Sequence, residues 1–478
     1  MNEFLPKIRP VPVIECIKIS SSIENIFSCF SQHSNAAFLN SSLKTDASRF
    51  SFIGLDPLFS LENRHLGDTV ISFDGQEFTA GKDPFLVLDD IIKKYSVTNT
   101  THFPFIAGGI GYFGYGLKDW LESLPSSSKD DLSLPDMRFT VYRTILIHDK
   151  EEPDKLYISV LDTLSGKQDK ISSIISNITN TIGQASGKDL NAEKIGTPHK
   201  SGDFVSNFSK PDYIAAINKA LEYIKAGDIY QVCLSQRFKS KWLRSPHELY
   251  LKLNSINPSP FSAFLDYGDF QIISSSPELF LKSSNGNIET RPMKGTRPRG
   301  KTPEEDAAMM EELTKSAKDT AELLMIVDLE RNDLGRTAIT GSVKVAEQRR
   351  LESYPTVFQT ISVIKGLLDK KFSMIDALKN SFPGGSITGC PKIRAMEIID
   401  ELEPTARGIY TGCMGYISFH ETLNLNIAIR TVIMKEKDVY FQVGSGIVSD
   451  SDPEKEYEET LHKARSFMDL FKPANNLS

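Results

Sequence analysis

Gly227-Asp-Ile-Tyr-Gln-Val-Cys-Leu-Ser-Gln-Arg-Phe238 sets the architecture of the larger part of the chain. Before it, Pro211 to Ala226 predicts a helix, with Pro in the first turn and Gly227 as the stop. From Ile229 the residue types alternate. Tyr230, Val232, Leu234 and Phe238 share one face, and Gln231, Cys233, Ser235 and Arg237 share the other, which is the period of a strand. Leu423 to Met434 alternates likewise, with Leu423, Leu425, Ile427 and Ile429 opposite Asn424, Asn426 and Arg430. Two long strands with polar faces predict a mixed α and β fold whose sheet lines a wet site. For either strand alone, a solvated face is the plainer reading.

The rest of the 478 residues agrees with a soluble globular protein of more than one domain. A net charge of −7 leaves no basic footprint for nucleic acid or an anionic membrane. No apolar run reaches membrane-spanning length, and the N-terminus lacks a secretory pattern. Five scattered cysteines without metal-ligand spacing fit a reducing compartment, so a soluble cytoplasmic protein is expected. A Gly-, Ser-, Lys- and Asp-rich stretch predicts a linker at 186–205 between an N-terminal domain at 1–185 and a catalytic domain at 206–478. The run Ala107-Gly-Gly-Ile-Gly-Tyr-Phe-Gly-Tyr115 reads as a tight packing turn more readily than as a ligand cradle.

Three kinds of segment carry candidate chemistry. In Arg291-Pro-Met-Lys-Gly-Thr-Arg-Pro-Arg-Gly300, Lys294 could serve as a nucleophile if burial or the neighbouring Arg291, Arg297 and Arg299 lowered its pKa. An exposed basic loop is the bland alternative. Asp319 and Glu322 precede an apolar helical run, a spacing they share with a capping box. Glu456, Glu459 and Lys463 recur on one side of a helix that begins at Asp452-Pro453. Two such carboxylate clusters could hold Mg2+, which takes oxygen ligands and keeps several waters. Gly384-Gly-Ser-Ile-Thr-Gly-Cys-Pro-Lys392 and Gly444-Ser-Gly446 are turns whose N–H groups could hold an anion.

In order along the chain, these segments resemble the family of chorismate-utilising enzymes, which includes anthranilate, isochorismate, salicylate and aminodeoxychorismate synthases. The motifs are Ala226–Ser235, Ser275-Ser-Pro-Glu-Leu-Phe280, Lys294-Gly-Thr296, Glu322–Arg336, Gly384–Glu403 and Gly444–Thr460. The resemblance is strong from Asp212 to Lys463 and looser before the linker, where Ser48-Arg-Phe50 and Phe105–Tyr115 take part. It implies an α+β fold like that of anthranilate synthase component I: two large, mostly antiparallel sheets packed together with helices outside. It also implies Mg2+ on Glu322 and Glu459 with Glu456 close by, and Glu278 as the acid that protonates a departing hydroxyl. Tyr410, Arg430, Gly444 and Gly446 match a carboxylate pocket, and Thr296 and Lys463 match further substrate or metal positions.

Three positions bear on which reaction is run. Gln231 stands where water-adding members carry a lysine base. Lys294 stands where anthranilate-forming members carry alanine, and it resembles the lysine of aminodeoxychorismate-forming members; Ser386-Ile-Thr388 points the same way. The resemblance therefore implies amination of chorismate at C4, with Lys294 adding at C2 and ammonia displacing it. The product, 4-amino-4-deoxychorismate, leads to 4-aminobenzoate and folate. No cysteine lies in a Gly-x-Cys-x-Gly elbow, so a separate glutamine amidotransferase subunit is the expected ammonia source. Gln359 replaces a His of many members, and Phe38-Leu-Asn-Ser41 replaces the Leu-Leu-Glu-Ser of tryptophan-inhibited ones. Anthranilate formation, and a chorismate-binding regulatory subunit without turnover, are the alternatives.

Overall fold

The structure, a computed structural model, describes residues 5–43, 45–163, 169–185, 203–354 and 357–471. The expected linker at 186–205 lies outside the described residues except at 203–205. Among the described residues twenty-two strands join in one hydrogen-bonded network, and every ladder between neighbouring strands is antiparallel. The fold is α+β, with helices on the outside of the strands.

The network divides at the paired long strands Phe50–Asn63 and Met137–Asp149. One arm runs from Phe50–Asn63 through Ala37–Asn40, Phe261–Asp266, Phe270–Ser276, Thr431–Lys435 and Asp438–Ile447 to Gln231–Lys241. The other leaves Met137–Asp149 through Gly108–Phe113, Cys413–Ser418, Leu423–Ile427, Leu279–Ser284 and Asn287–Arg291 to Val357–Leu367. These arms are the two sheets. Phe52, Phe105, Tyr416, Leu265 and Ile433 belong to one buried cluster fed by strands of both.

The chain crosses between sheets at two adjacent places. One crossing, Pro277–Glu278, joins Phe270–Ser276 to Leu279–Ser284. The other, Ala428–Arg430, joins Leu423–Ile427 to Thr431–Lys435. Ile427 N donates to Glu278 O at 3.0 Å and Ser275 N to Arg430 O at 3.0 Å, so the crossings brace each other. The uninterrupted strand expected over Leu423 to Met434 is thus two strands. Arg430, at φ 48°, is the break.

Other expectations meet local physics. The helix before Gly227 spans Lys210–Ala226, capped by the Ser209 side chain and ended by Gly227 at φ 85°, a left-handed stop that glycine adopts without a Cβ penalty. The strand that follows begins at Gln231. Tyr230, expected on its apolar face, is 71% exposed, whereas Gln231 and Gln236 are fully buried. Ser316, not Asp319, caps the helix Ala317–Gly335, leaving Glu322 in its second turn. Gly444 and Gly446 sit inside the strand Asp438–Ile447, paired with Ser235 and Cys233, and form no anion-binding turn. Gly108–Phe113 is a packed strand, because a Cβ on Gly108 would lie 2.3 Å from Ile417 O.

Candidate functional site

Lys294 lies on the strand Met293–Pro298, at a bulge between its pairings with Thr360 and Gln359. Gly295, at φ 72°, makes the bulge possible. The half-buried Lys294 donates from Nζ to Ser386 O at 3.1 Å. Ser386 belongs to a short turn, Gly385–Ile387, and its Oγ donates to Glu278 Oε1 at 2.5 Å. One residue thus ties the amine to the crossing carboxyl. Cys233 Sγ points at the same carbonyl, 3.5 Å away.

Glu278 is buried and sits between sheets. Burial pushes its pKa up to about 7, against the opposing pull of Ser386, Lys294, the Met293 backbone and Arg430. A carboxyl poised there can give and take a proton near neutrality. Arg430 makes no ion pair with any described residue, and burial draws its pKa down. A half-buried guanidinium without a carboxylate partner can receive an anion.

Charge at Lys294 runs opposite to the expectation from its neighbours in sequence. Burial acts to lower its pKa, but Cys233, Glu322, Glu278 and Glu459 face it, and the net shift is upward. The three arginines do not face it uncompensated. Arg291 pairs with Asp46 and Glu289 at 2.8 and 2.6 Å, Arg297 with Glu312 and Asp319 at 2.7 and 3.0 Å, and Arg299 with Asp306 at 2.5 Å. The resting side chain is therefore an ammonium among anions.

Glu322 and Glu459 approach from the helices Ala317–Gly335 and Pro453–Met468. Burial raises the Glu322 pKa, and the charge of Glu459 adds to the rise. The cation paired with Glu322 is Lys318, at 4.0 Å. For Glu459 burial is outweighed by Lys463 at 2.7 Å, and its pKa falls. Among the described residues no group of three or more His, Cys, Asp or Glu is disposed around one point. Two carboxylates that act on each other could hold magnesium, which binds one or two protein carboxylates and completes its shell with water and substrate oxygens. Buried Glu456 accepts from Ser451 Oγ at 2.7 Å.

The remaining expected residues surround this cluster in separate contacts. Lys463 Nζ also donates to Gly444 O at 2.9 Å. Exposed Thr296 accepts from Gln359 Nε2 at 3.2 Å, while the buried Gln359 Oε1 has no partner. Gln231 Oε1 is likewise enclosed and unpartnered, and a Cβ on Gly446 would come within 2.5 Å of Gln231 Nε2. The Arg407 guanidinium lies over the Tyr410 ring, 5.8 Å from its centre. A separate cavity of about 290 Å3, lined by Asn40, Asp46, Arg49, Tyr416, Asn424 and Asn426 among others, includes none of these groups. There Asn40 is occupied internally, donating to Glu24 and Tyr250 and accepting from Ser51.

Glu330, Arg407 and Glu403 are buried charged groups near the site that residue types alone did not single out. Glu330 had a legible signal: it falls on the helical stripe Leu323, Ile326, Val327, Leu334, where an apolar residue belongs. Arg407 and Glu403 form a buried pair at 2.8 Å beneath Cys233 and Ser235, recognisable only once the chain is folded.

Known proteins agree with this architecture. Residues 62–469 match the family model for chorismate binding enzymes. Anthranilate synthase component 1 of Aquifex aeolicus is 37% identical over 88% of this chain and 85% of its own length. Aminodeoxychorismate synthase component 1 of Bacillus subtilis is 37% identical over 87% of this chain and 88% of its own. The crystal structure of anthranilate synthase component I from Streptococcus pneumoniae superposes with a TM-score of 0.77 at 33% identity, covering 89% of this chain and 93% of that one. Among the described residues no helix is long and apolar enough to cross a membrane. The chain is a chorismate-utilising enzyme and belongs to the family of chorismate binding enzymes.

Proposed function

We propose that this chain is component 1 of an aminodeoxychorismate synthase, converting chorismate and ammonia to 4-amino-4-deoxychorismate. The observation that carries the reading is the Lys294–Ser386–Glu278 chain of hydrogen bonds, which ties a primary amine and a proton-donating carboxyl to one residue. In this reading Arg430 receives a carboxylate of chorismate. Glu278, protonated near neutrality, gives its proton to the departing C4 hydroxyl as the neutral Lys294 amine adds at C2. Ammonia then adds at C4 and releases the lysine, and the enolpyruvyl group stays on the ring. Glu322 and Glu459 would hold magnesium, with Glu456 behind them. Bound there, magnesium would bind a substrate carboxylate and offset two of the charges that keep Lys294 protonated.

Gln231 is an amide where water activation needs a base, which favours an amine over water as the nucleophile. The relatives' designation as component 1 supports a second component, and we assign it as a glutamine amidotransferase delivering ammonia. Relatives at the same identity named anthranilate synthase favour a second reading, in which the product is aromatic and pyruvate is lost. Incubation with chorismate, magnesium and ammonium, with and without a 4-amino-4-deoxychorismate lyase, separates the two. The account expects 4-aminobenzoate only when the lyase is present. Anthranilate fluorescence without it overturns the assignment.

A further inference from the structure

The helix Pro303–Lys315 lies on the outside of the molecule, and Leu313 is the single buried residue in it. Charge holds the rest. Near its start Asp306 pairs with Arg299 at 2.5 Å, and near its end Glu312 pairs with Arg297 at 2.7 Å. Arg349 Nη2 donates to the Leu313 and Thr314 carbonyls at 3.3 and 3.1 Å, closing the last turn. The Glu312 side chain is 55% exposed, and a pair so open to water holds geometry weakly. The placement of this helix therefore falls to Leu313.

Leu313 is fully enclosed, yet it belongs to none of the four apolar clusters that the described residues form. It rests on backbone instead. A Cβ built on Gly295 would lie 2.8 Å from Leu313 Cδ1, so that methyl fills the space a side chain at 295 would need. Asp319 closes the same spot from the helix Ala317–Gly335. Its Cγ stands 3.0 Å from the built atom, and its carboxylate lies 3.0 Å from Arg297.

Gly295 follows Lys294 and is the extra residue of the bulge: Lys294 pairs with Thr360, Thr296 with Gln359, and Gly295 with neither. A bulge leaves its extra residue without ladder support and turns the strand locally. The ladder steadies Lys294 itself, whose carbonyl accepts Thr360 Oγ1 at 2.5 Å. At Gly295 the support is Leu313. A helix that needed only an anchor would send its leucine into an apolar cluster; this one presses on the unpaired residue beside the amine.

We propose that Leu313 is a positioning residue for Lys294, pressing on Gly295 so that the bulge aims the amine at Ser386 and Glu278. The inference rests on the reading of Lys294 as the nucleophile. Aim matters there, because a misplacement of about 1 Å can cost roughly a hundredfold in rate. Leu313→Ala empties the space over Gly295, whereas Leu313→Met nearly keeps its volume.

The test joins turnover to a reading of the amine that needs none. Lys294 is acetylated with acetic anhydride in the resting protein, and its rate is followed by peptide mass against the exposed Lys371. Leu249→Ala, an equally enclosed leucine in the helix Pro246–Ile256, controls for lost stability. In Leu313→Ala the Lys294 rate should rise severalfold as the amine leaves Ser386, and kcat should fall by about tenfold with KM for chorismate little changed. Leu313→Met should restore both, and Leu249→Ala should disturb neither. A Lys294 rate in Leu313→Ala equal to wild type, or raised as much in Leu249→Ala, overturns the proposal. A raised rate with wild-type kcat supports the positioning and overturns the nucleophile reading, so the two failures are told apart. Should Leu313→Ala not fold, Leu313→Val decides between the same outcomes through smaller changes.

Discussion

Ser386 holds Glu278 and Lys294 with opposite ends of one residue: its Oγ donates to Glu278 Oε1 at 2.5 Å, and its carbonyl accepts Lys294 Nζ at 3.1 Å. The hydroxyl bond favours the carboxylate and so works against the burial that lifts Glu278 to about 7. Ser386→Ala removes the lowering influence alone. Glu278 then stays protonated to higher pH, and the alkaline limb of kcat/KM, where the acid is lost, moves up by roughly one pH unit. A pH profile of kcat/KM on both proteins checks this. An unmoved limb would show that Glu278 is not the acid.

Gly295 shapes the bulge that presents Lys294. At φ 72° an added Cβ is strained, and it would also meet Leu313 Cδ1 at 2.8 Å and Asp319 Cγ at 3.0 Å. Gly295→Ala should cost about 1–2 kcal/mol in backbone conformation. Its loss of kcat should exceed tenfold, because the amine is re-aimed. Melting temperature and kcat measured together test the split, and wild-type turnover in a destabilised variant would contradict it.

Glu322→Gln and Glu459→Gln each remove a charged oxygen from the proposed magnesium pair. Each variant should need about tenfold more magnesium for half-maximal activity, with the maximum reached at high magnesium reduced less. A magnesium titration indistinguishable from wild type would remove that residue from the metal site.

Arg407 braces the strand that carries Cys233 and Ser235. It donates to Glu403 at 2.9 and 2.8 Å, to Cys233 O at 2.7 Å and to Ile387 O at 3.0 Å, while Glu403 Oε1 accepts Ser235 N and Oγ. Arg407→Met leaves Glu403 buried without its partner, a loss of about 3–5 kcal/mol. The expected readout is a large fall in melting temperature that saturating substrate only partly reverses. A change within error would mean the pair contributes little.

Much of this layout was readable from residue order. The Gly227 stop, the strand after it and the helix starting at Asp452-Pro453 follow from local periodicity and capping, which act over a few residues. The charge on Lys294 was not readable. Its neighbours in sequence are arginines, but those find carboxylates of their own, and the groups facing the amine come from positions 233, 278, 322 and 459. Alternation over Leu423–Met434 likewise concealed the break at Arg430, because a crossing between sheets preserves the period of two on either side. Gly444-Ser-Gly446 looked like an anion turn because glycine pairs serve both turns and close strand contacts. Here a Cβ at Gly446 would strike Gln231, a side chain far away in sequence.

The most direct measurement is the mass of the Lys294 peptide after chorismate and magnesium are supplied without ammonia, followed by quenching and digestion. The account predicts a gain equal to chorismate less one water, on Lys294 alone, that disappears when ammonium is added before quenching. Lys294 recovered wholly unmodified, from a preparation that aminates chorismate once ammonia is supplied, would contradict it.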